Sequence, residues 1–275
     1  MLYYEYKKLY YLFLDIKMKQ EDFLVKIKKV LCRYPYIPKV LYDYIENVIK
    51  KDAKEHLIPQ IKNKKKRKIV LDAINNLFKK GTNVTNLSPL DLIKKLDFHP
   101  TDTSESSFDS VIAELRTLNF LSNLNLYDIT PLQAKKSGKR ADIIATGGSD
   151  KYVIEVFCKI SQSPPQTEHK FKKDFKKNEI LNQPYTYEDD LFRYYIDRAR
   201  RKKIQLENTA KKYKCNKKIM VLVLNDQNIF GHLLPDECTK ILSKISTELE
   251  WGSNYYFSII IGLVGLDIIY PPIKL

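Results

Sequence analysis

Residues 138–159 read GKRADIIATGGSDKYVIEVFCK. Two apolar runs, 141–146 and 151–160, flank Gly147-Gly148-Ser149-Asp150. Apolar, β-branched runs on either side of a Gly-rich turn spell a β-hairpin. Each run carries one acid in apolar company: Asp142 ahead of Ile143 and Ile144, and Glu155 between Ile154 and Val156. The turn between them can bring the two carboxylates together on neighbouring strands, about 5 Å apart. An unpaired buried carboxylate is costly, so something must compensate each of them. A hard divalent cation does so, since Mg2+ takes one or two carboxylates and keeps several waters. Held against a phosphodiester, such a cation activates a water and stabilises the leaving oxygen. Salt bridges to Arg140 or Lys151 on a plain sheet are the alternative compensation.

Working outward from the hairpin, Phe108, Val111, Ile112, Leu115 and Leu118 mark an amphipathic helix before it. A long helix is expected over 188–214, a buried strand over 219–225, a helix over 235–249 and a strand over 255–263. Helices alternating with strands make an α/β layered domain. The first hundred residues read as helical instead. Phe23, Leu24, Ile27, Val30 and Leu31 recur at helical spacing. Pro38 opens a second helix, and 68–79 forms a third. Ser88-Pro89 pairs a capping residue with a first-turn proline. The polar stretch 98–107, FHPTDTSESS, is the best candidate boundary between the two parts.

Charge is concentrated. The chain of 275 residues carries a formal +15, and 44% of it is hydrophobic, which suits a folded protein. Residues 61–80 hold eight Lys/Arg against one acid, and residues 166–218 hold sixteen against eight. These two segments account for the whole excess, and such concentrations attract polyanions, nucleic acid most commonly. A soluble basic surface is the bland alternative. Lys170–Lys177 interleaves Phe171 and Phe175 with basic residues, including Lys172 and Lys173, which suits backbone contact or an amphipathic turn. Arg198, Arg201 or Lys202, and Gln205 share one face of the long helix. Cys32, Cys158, Cys215 and Cys238 show no CxxC pair and no zinc-finger spacing. The start lacks a cleavage site, and the longest apolar run, near 255–266, is too short to span a bilayer, so a cytoplasmic protein is expected.

Over roughly residues 106–225 the chain resembles the PD-(D/E)xK nuclease superfamily. Asp142 matches the first acid of the motif and Glu155 the second. Glu114, in VIAELRTL, matches the helix acid, and Gln205, in RRKKIQLENTAKKY, a polar residue on the following helix. The family lysine should stand at 157, where this chain has Phe157. Lys159 is the nearest substitute and shares a strand face with Glu155. It lies about 13 Å along the strand from Glu155, against about 7 Å for the usual spacing. Otherwise the role has moved to another element or is lost.

The resemblance implies a restriction-endonuclease-like mixed sheet flanked by helices, within residues 101–275. An all-helical domain over 1–100 would bind DNA or a partner. It implies a Mg2+-dependent endonuclease acting on DNA, with Mn2+ as a substitute. Asp142, Glu155 and Glu114 would hold metal, and Lys159 would act on the attacking water or the phosphate. Gln205, Arg198, Arg201, Lys202, Lys172 and Lys173 would contact nucleic acid. A homodimer would suit such an enzyme. A nuclease-fold protein with a decayed site that still binds nucleic acid is the alternative, favoured by Phe157. A protein-interaction module with a basic face is a third reading.

Overall fold

The computed structural model describes residues 20–51, 57–96, 98–103, 105–133, 140–159, 187–224, 235–249, 252–262 and 267–270. Among these, residues 20–31 form a first helix, α1. Then follow α2 (Val40–Lys50), α3 (Leu57–Lys62), α4 (Lys64–Thr85), α5 (Pro89–Lys95) and α6 (Glu105–Ser122). The strands β1 (Tyr127–Pro131), β2 (Ile143–Gly147) and β3 (Asp150–Lys159) come next. The chain continues through α7 (Tyr187–Tyr213), β4 (Lys217–Leu224), α8 (Pro235–Glu248), β5 (Tyr255–Gly262) and β6 (Asp267–Tyr270). The architecture is α/β, with one six-stranded mixed sheet whose spatial order follows the sequence, β1 to β6.

Local chemistry explains the element ends. Asn63 caps α4, its side chain accepting hydrogen bonds from the Lys65 and Lys66 amides at 3.0 and 3.2 Å. Ser88 caps α5 in the same way, ahead of Pro89. Gly148 closes the β2–β3 hairpin with φ at +58°, a conformation that costs glycine little. Asn216 then ties the hairpin end to the start of β4, its side chain accepting from the Lys151 amide at 2.8 Å.

The β1–β2, β2–β3 and β5–β6 pairs are antiparallel, while β3–β4 and β4–β5 are parallel. Side-chain alternation along β3 gives its two faces different neighbours. Ile154, Val156 and Cys158 join the core shared with α6 and the N-terminal helices. Val153 packs with Leu206 and Ala210 of α7. Phe157 packs with Tyr195, Ile196 and Ala199 of α7 and with Ile245 of α8, edge-on to Phe257 of β5 at 6.3 Å. So α6 covers one face of the sheet, and α7 with α8 covers the other.

Helix α6 is buried nearly all round, because α4 and the other N-terminal helices lie behind it. Phe98 and Phe108, at the two ends of the expected boundary segment, both pack on Tyr44 of α2. One cluster of buried side chains therefore runs from Leu24 to Ile260. Strands β1 and β6 were not expected from the sequence. Both are short edge strands, and β1 carries Asp128 at a positive φ. Helix α4 is longer at both ends than the expected 68–79.

Gly81 lies where α4 packs closely on Leu92 of α5 and Leu115 of α6. A Cβ there would lie 2.9 Å from Leu92 and 3.0 Å from Leu115. Gly81→Val should lower stability by about 1–3 kcal/mol through overpacking, read as a lower urea midpoint at unchanged m-value. An unchanged midpoint would show that α4 can move off α5 and α6 freely.

Candidate active site

Three strands hold Asp142 in place. It sits one residue ahead of β2, where its amide donates to the Ile154 carbonyl at 3.1 Å. Its own carbonyl accepts from the Leu132 amide at 2.7 Å, just beyond β1. Its Oδ2 accepts from the Val156 amide of β3 at 2.7 Å. The preceding amide, that of Ala141, donates to Thr209 Oγ1 of α7 at 2.8 Å. Arg140 in turn bonds the Tyr213 hydroxyl, one turn further along α7. Asp142 keeps part of its surface open to solvent.

Glu155 is wholly buried in the middle of β3. Its Oε1 accepts from the Lys202 ammonium of α7. Its Oε2 is buried with no donor among the described residues while both acids are ionised, and a protonated Glu155 carboxyl hydrogen-bonds to Asp142. Lys202 is the outer member of the pair, with 23% of its side chain exposed against 0% for Glu155. Lys202, Leu206, Thr209 and Tyr213 follow one another at three- and four-residue steps, so a single stripe of α7 meets both acids.

Burial pushes the Glu155 carboxyl well above its ordinary pKa, and the neighbouring Asp142 charge pushes it further, against the pull of Lys202. Burial also raises Asp142, while Lys202, the Val156 amide and Glu155 pull it back. Burial alone would lower Lys202, but the two carboxylates outweigh it and its pKa is raised. Two carboxylates facing one ammonium leave an excess negative charge once all are ionised, which a proton or a second cation can neutralise. Mg2+ asks for one or two carboxylates and brings its own water, so two adjoining carboxyls with one ammonium between them and excess negative charge fit such an ion.

The expected helix acid lies apart from this pair. Glu114 is half-buried on α6, and its charge reaches the Cys158 thiol together with those of Arg198 and Asp109. Helix α6 covers the sheet face opposite to Glu155, which separates Glu114 from the two acids. Among the described residues, no group of three or more His, Cys, Asp or Glu side chains is placed to hold a metal. Lys159 ends β3 with its backbone opposite Leu224. Phe157, at the family lysine position, is a core residue.

Lys172 and Lys173 fall outside the described residues. On α7, Arg198 and Gln205 are half-buried, and Arg201 is exposed with its Nε donating to the Asp197 carbonyl at 3.4 Å. Lys202, expected to meet phosphate, meets the carboxylates instead. Helical spacing had put it on the right face without saying what that face touches. Thr209 was missed, since a lone threonine in a helix has no spacing that marks it.

No protein-family model matches the chain, and no curated protein matches it either. Among the described residues, no helix is long and apolar enough to cross a membrane.

The raised pKa of Glu155 has a definite sign in stability. The folded state holds this proton more tightly than the unfolded chain does, so wild-type stability falls as pH climbs from the ordinary carboxylate range towards the folded pKa. Glu155→Gln removes that loss. The variant should match the wild type near about pH 4 and exceed it increasingly as pH rises. Urea titrations across that range check this, and an advantage independent of pH would refute it.

Proposed function

We propose that this chain is a Mg2+-dependent endonuclease of the PD-(D/E)xK kind, hydrolysing phosphodiester bonds in DNA, with Mn2+ as a substitute metal. The observation that carries this reading is the juxtaposition of two inward carboxylates with one ammonium, on a strand–turn–strand backed by a basic helix. Asp142 and Glu155 hold the cation. A divalent ion there lends positive charge to the phosphodiester and makes water more acidic.

Lys202 takes the part that the strand lysine plays in the family, because its ammonium already reaches the second acid. It orients the attacking water and offsets negative charge growing on phosphate. Arg198, Arg201 and Gln205, on neighbouring turns of α7, steer the substrate backbone. The exposed lysines that open α4, Lys64, Lys65, Lys66 and Lys68, give the helical part a basic surface for DNA or a partner. Restriction, defence or mobile-element function is the natural setting for such an enzyme.

A second reading is an inactive nuclease-fold protein that binds nucleic acid. The Lys202 pairing favours it, since that ammonium compensates the acids without any metal. A cleavage assay on plasmid DNA separates the two readings. With Mg2+ or Mn2+, Asp142→Asn and Glu155→Gln should abolish cutting. Lys202→Ala should lose about 10²–10³ in rate, and Lys159→Ala should cut like the wild type. A large loss with Lys159→Ala and none with Lys202→Ala would return the role to the strand. No cutting by the wild type under either metal would leave the binding reading.

Binding to DNA should weaken with salt, with a log–log slope of about −0.9 per phosphate neutralised. Affinity that hardly changes between low and physiological salt would contradict a backbone-tracking surface.

A further inference from the structure

The Lys202 ammonium and a divalent cation would occupy overlapping space. Lys202 lies on Glu155 Oε1, on the solvent side of a wholly buried carboxylate. Asp142 is half-buried and Lys202 keeps part of its side chain exposed, while Glu155 is wholly buried. Asp142 and Glu155 are the residues that would hold such an ion, and its charge would repel an ammonium at the same carboxylate. Lys202 can yield, because its ammonium ends a flexible four-carbon stem on the solvent edge of α7.

We propose that Lys202 is a tethered competitor for the cation: it neutralises the two acids when no metal is bound, and metal entry displaces it outward, where its charge becomes free for a phosphate. This rests on the reading of Asp142 and Glu155 as a cation site. Metal loading and phosphate binding are then coupled through one side chain, and by reciprocity a bound phosphate that holds Lys202 outward favours the metal. Lys202 is the counter-ion of the two acids in the absence of metal, and it weakens metal binding for the same reason.

The test uses the full chain and Mn2+ alone, followed by the paramagnetic signal of the free ion, with circular dichroism and thermal melting as folding controls. Lys202→Gln removes the competitor and should bind Mn2+ about tenfold more tightly than the wild type, within the range by which groups around a metal shift its affinity. The second measurement needs no substitution at Lys202. Reductive methylation of wild-type protein, read by peptide mass spectrometry, should find Lys202 slow to react without metal and several-fold faster when Mn2+ saturates. In Glu155→Gln, adding Mn2+ should make no difference to that rate.

If Mn2+ binds the wild type while Lys202 stays equally protected, the lysine shares the site with the ion. Competition is then overturned and the metal site stands. Equal or weaker Mn2+ binding by folded Lys202→Gln overturns it in the same way. If neither wild type nor Lys202→Gln binds Mn2+, the metal-site reading falls, and the competition with it. Should Lys202→Gln fail to fold, the methylation rates of the wild type decide alone.

Discussion

Glu155 sets the terms for the sheet and for the helix that crosses it. A carboxylate with no exposed surface in the middle of a strand must find its compensation within the fold, and Lys202 supplies it. That requirement demands a basic residue on the stripe of α7 that faces β3, and packing selects Lys202. Once Lys202 meets Glu155, Leu206 and Ala210 fall against Ala141 and Val153, and Thr209 reaches the Ala141 amide. The ion pair itself adds little net stability, because taking two charges out of water costs about as much as their attraction returns. Its value is in matching: a helix turned so that no basic side chain reached Glu155 would leave the acid unpaired, at a cost of about 3–5 kcal/mol. The apolar neighbours supply the binding energy, at roughly 25 cal/mol for each Å2 buried.

The two faces of the sheet serve different ends. On the α6 side, Ile154, Val156 and Cys158 meet a helix that is itself enclosed by the N-terminal helices. On that side Glu114 and Asp109 of α6 act on the Cys158 thiol, on which Arg198 of α7 acts as well. On the α7 side, apolar packing around Phe157 stands next to the polar cluster around Glu155. A lysine at position 157 would have entered the packing of Tyr195, Met220 and Leu222. The fold therefore takes its ammonium from a helix and gives the strand position to an aromatic ring.

Much of this was written in local patterns. The Gly-Gly turn and the two apolar runs specify the hairpin, and the uninterrupted run in β4 marks a strand buried on both faces. The caps at Asn63 and Ser88 obey short-range hydrogen bonding. Edge strands escape such reading. In β1 only two of five residues are buried, and in β6 there are four residues with Ile268 exposed. Within the candidate site, the two acids were legible because apolar neighbours make a charged residue conspicuous. Lys202 was not legible in its role, because it stands in a run of five basic residues, Arg198 to Lys203 with only Ala199 between, and any of them could face the sheet. The choice among them depends on the angle at which α7 crosses β3, which is a property of tertiary packing.

Because the strands lie in the sheet in the order in which they occur in the chain, each can join an edge that already exists. A ribosome releasing this chain from its N-terminus could build the sheet outward without reopening any pair. The hairpin of β2 and β3 forms early and locally, yet its buried acid waits for a partner 47 residues further on. During that interval Glu155 stays hydrated or holds its proton, and the face that will receive α7 stays wet. The arrival of one lysine thus marks the moment at which this half of the core can close.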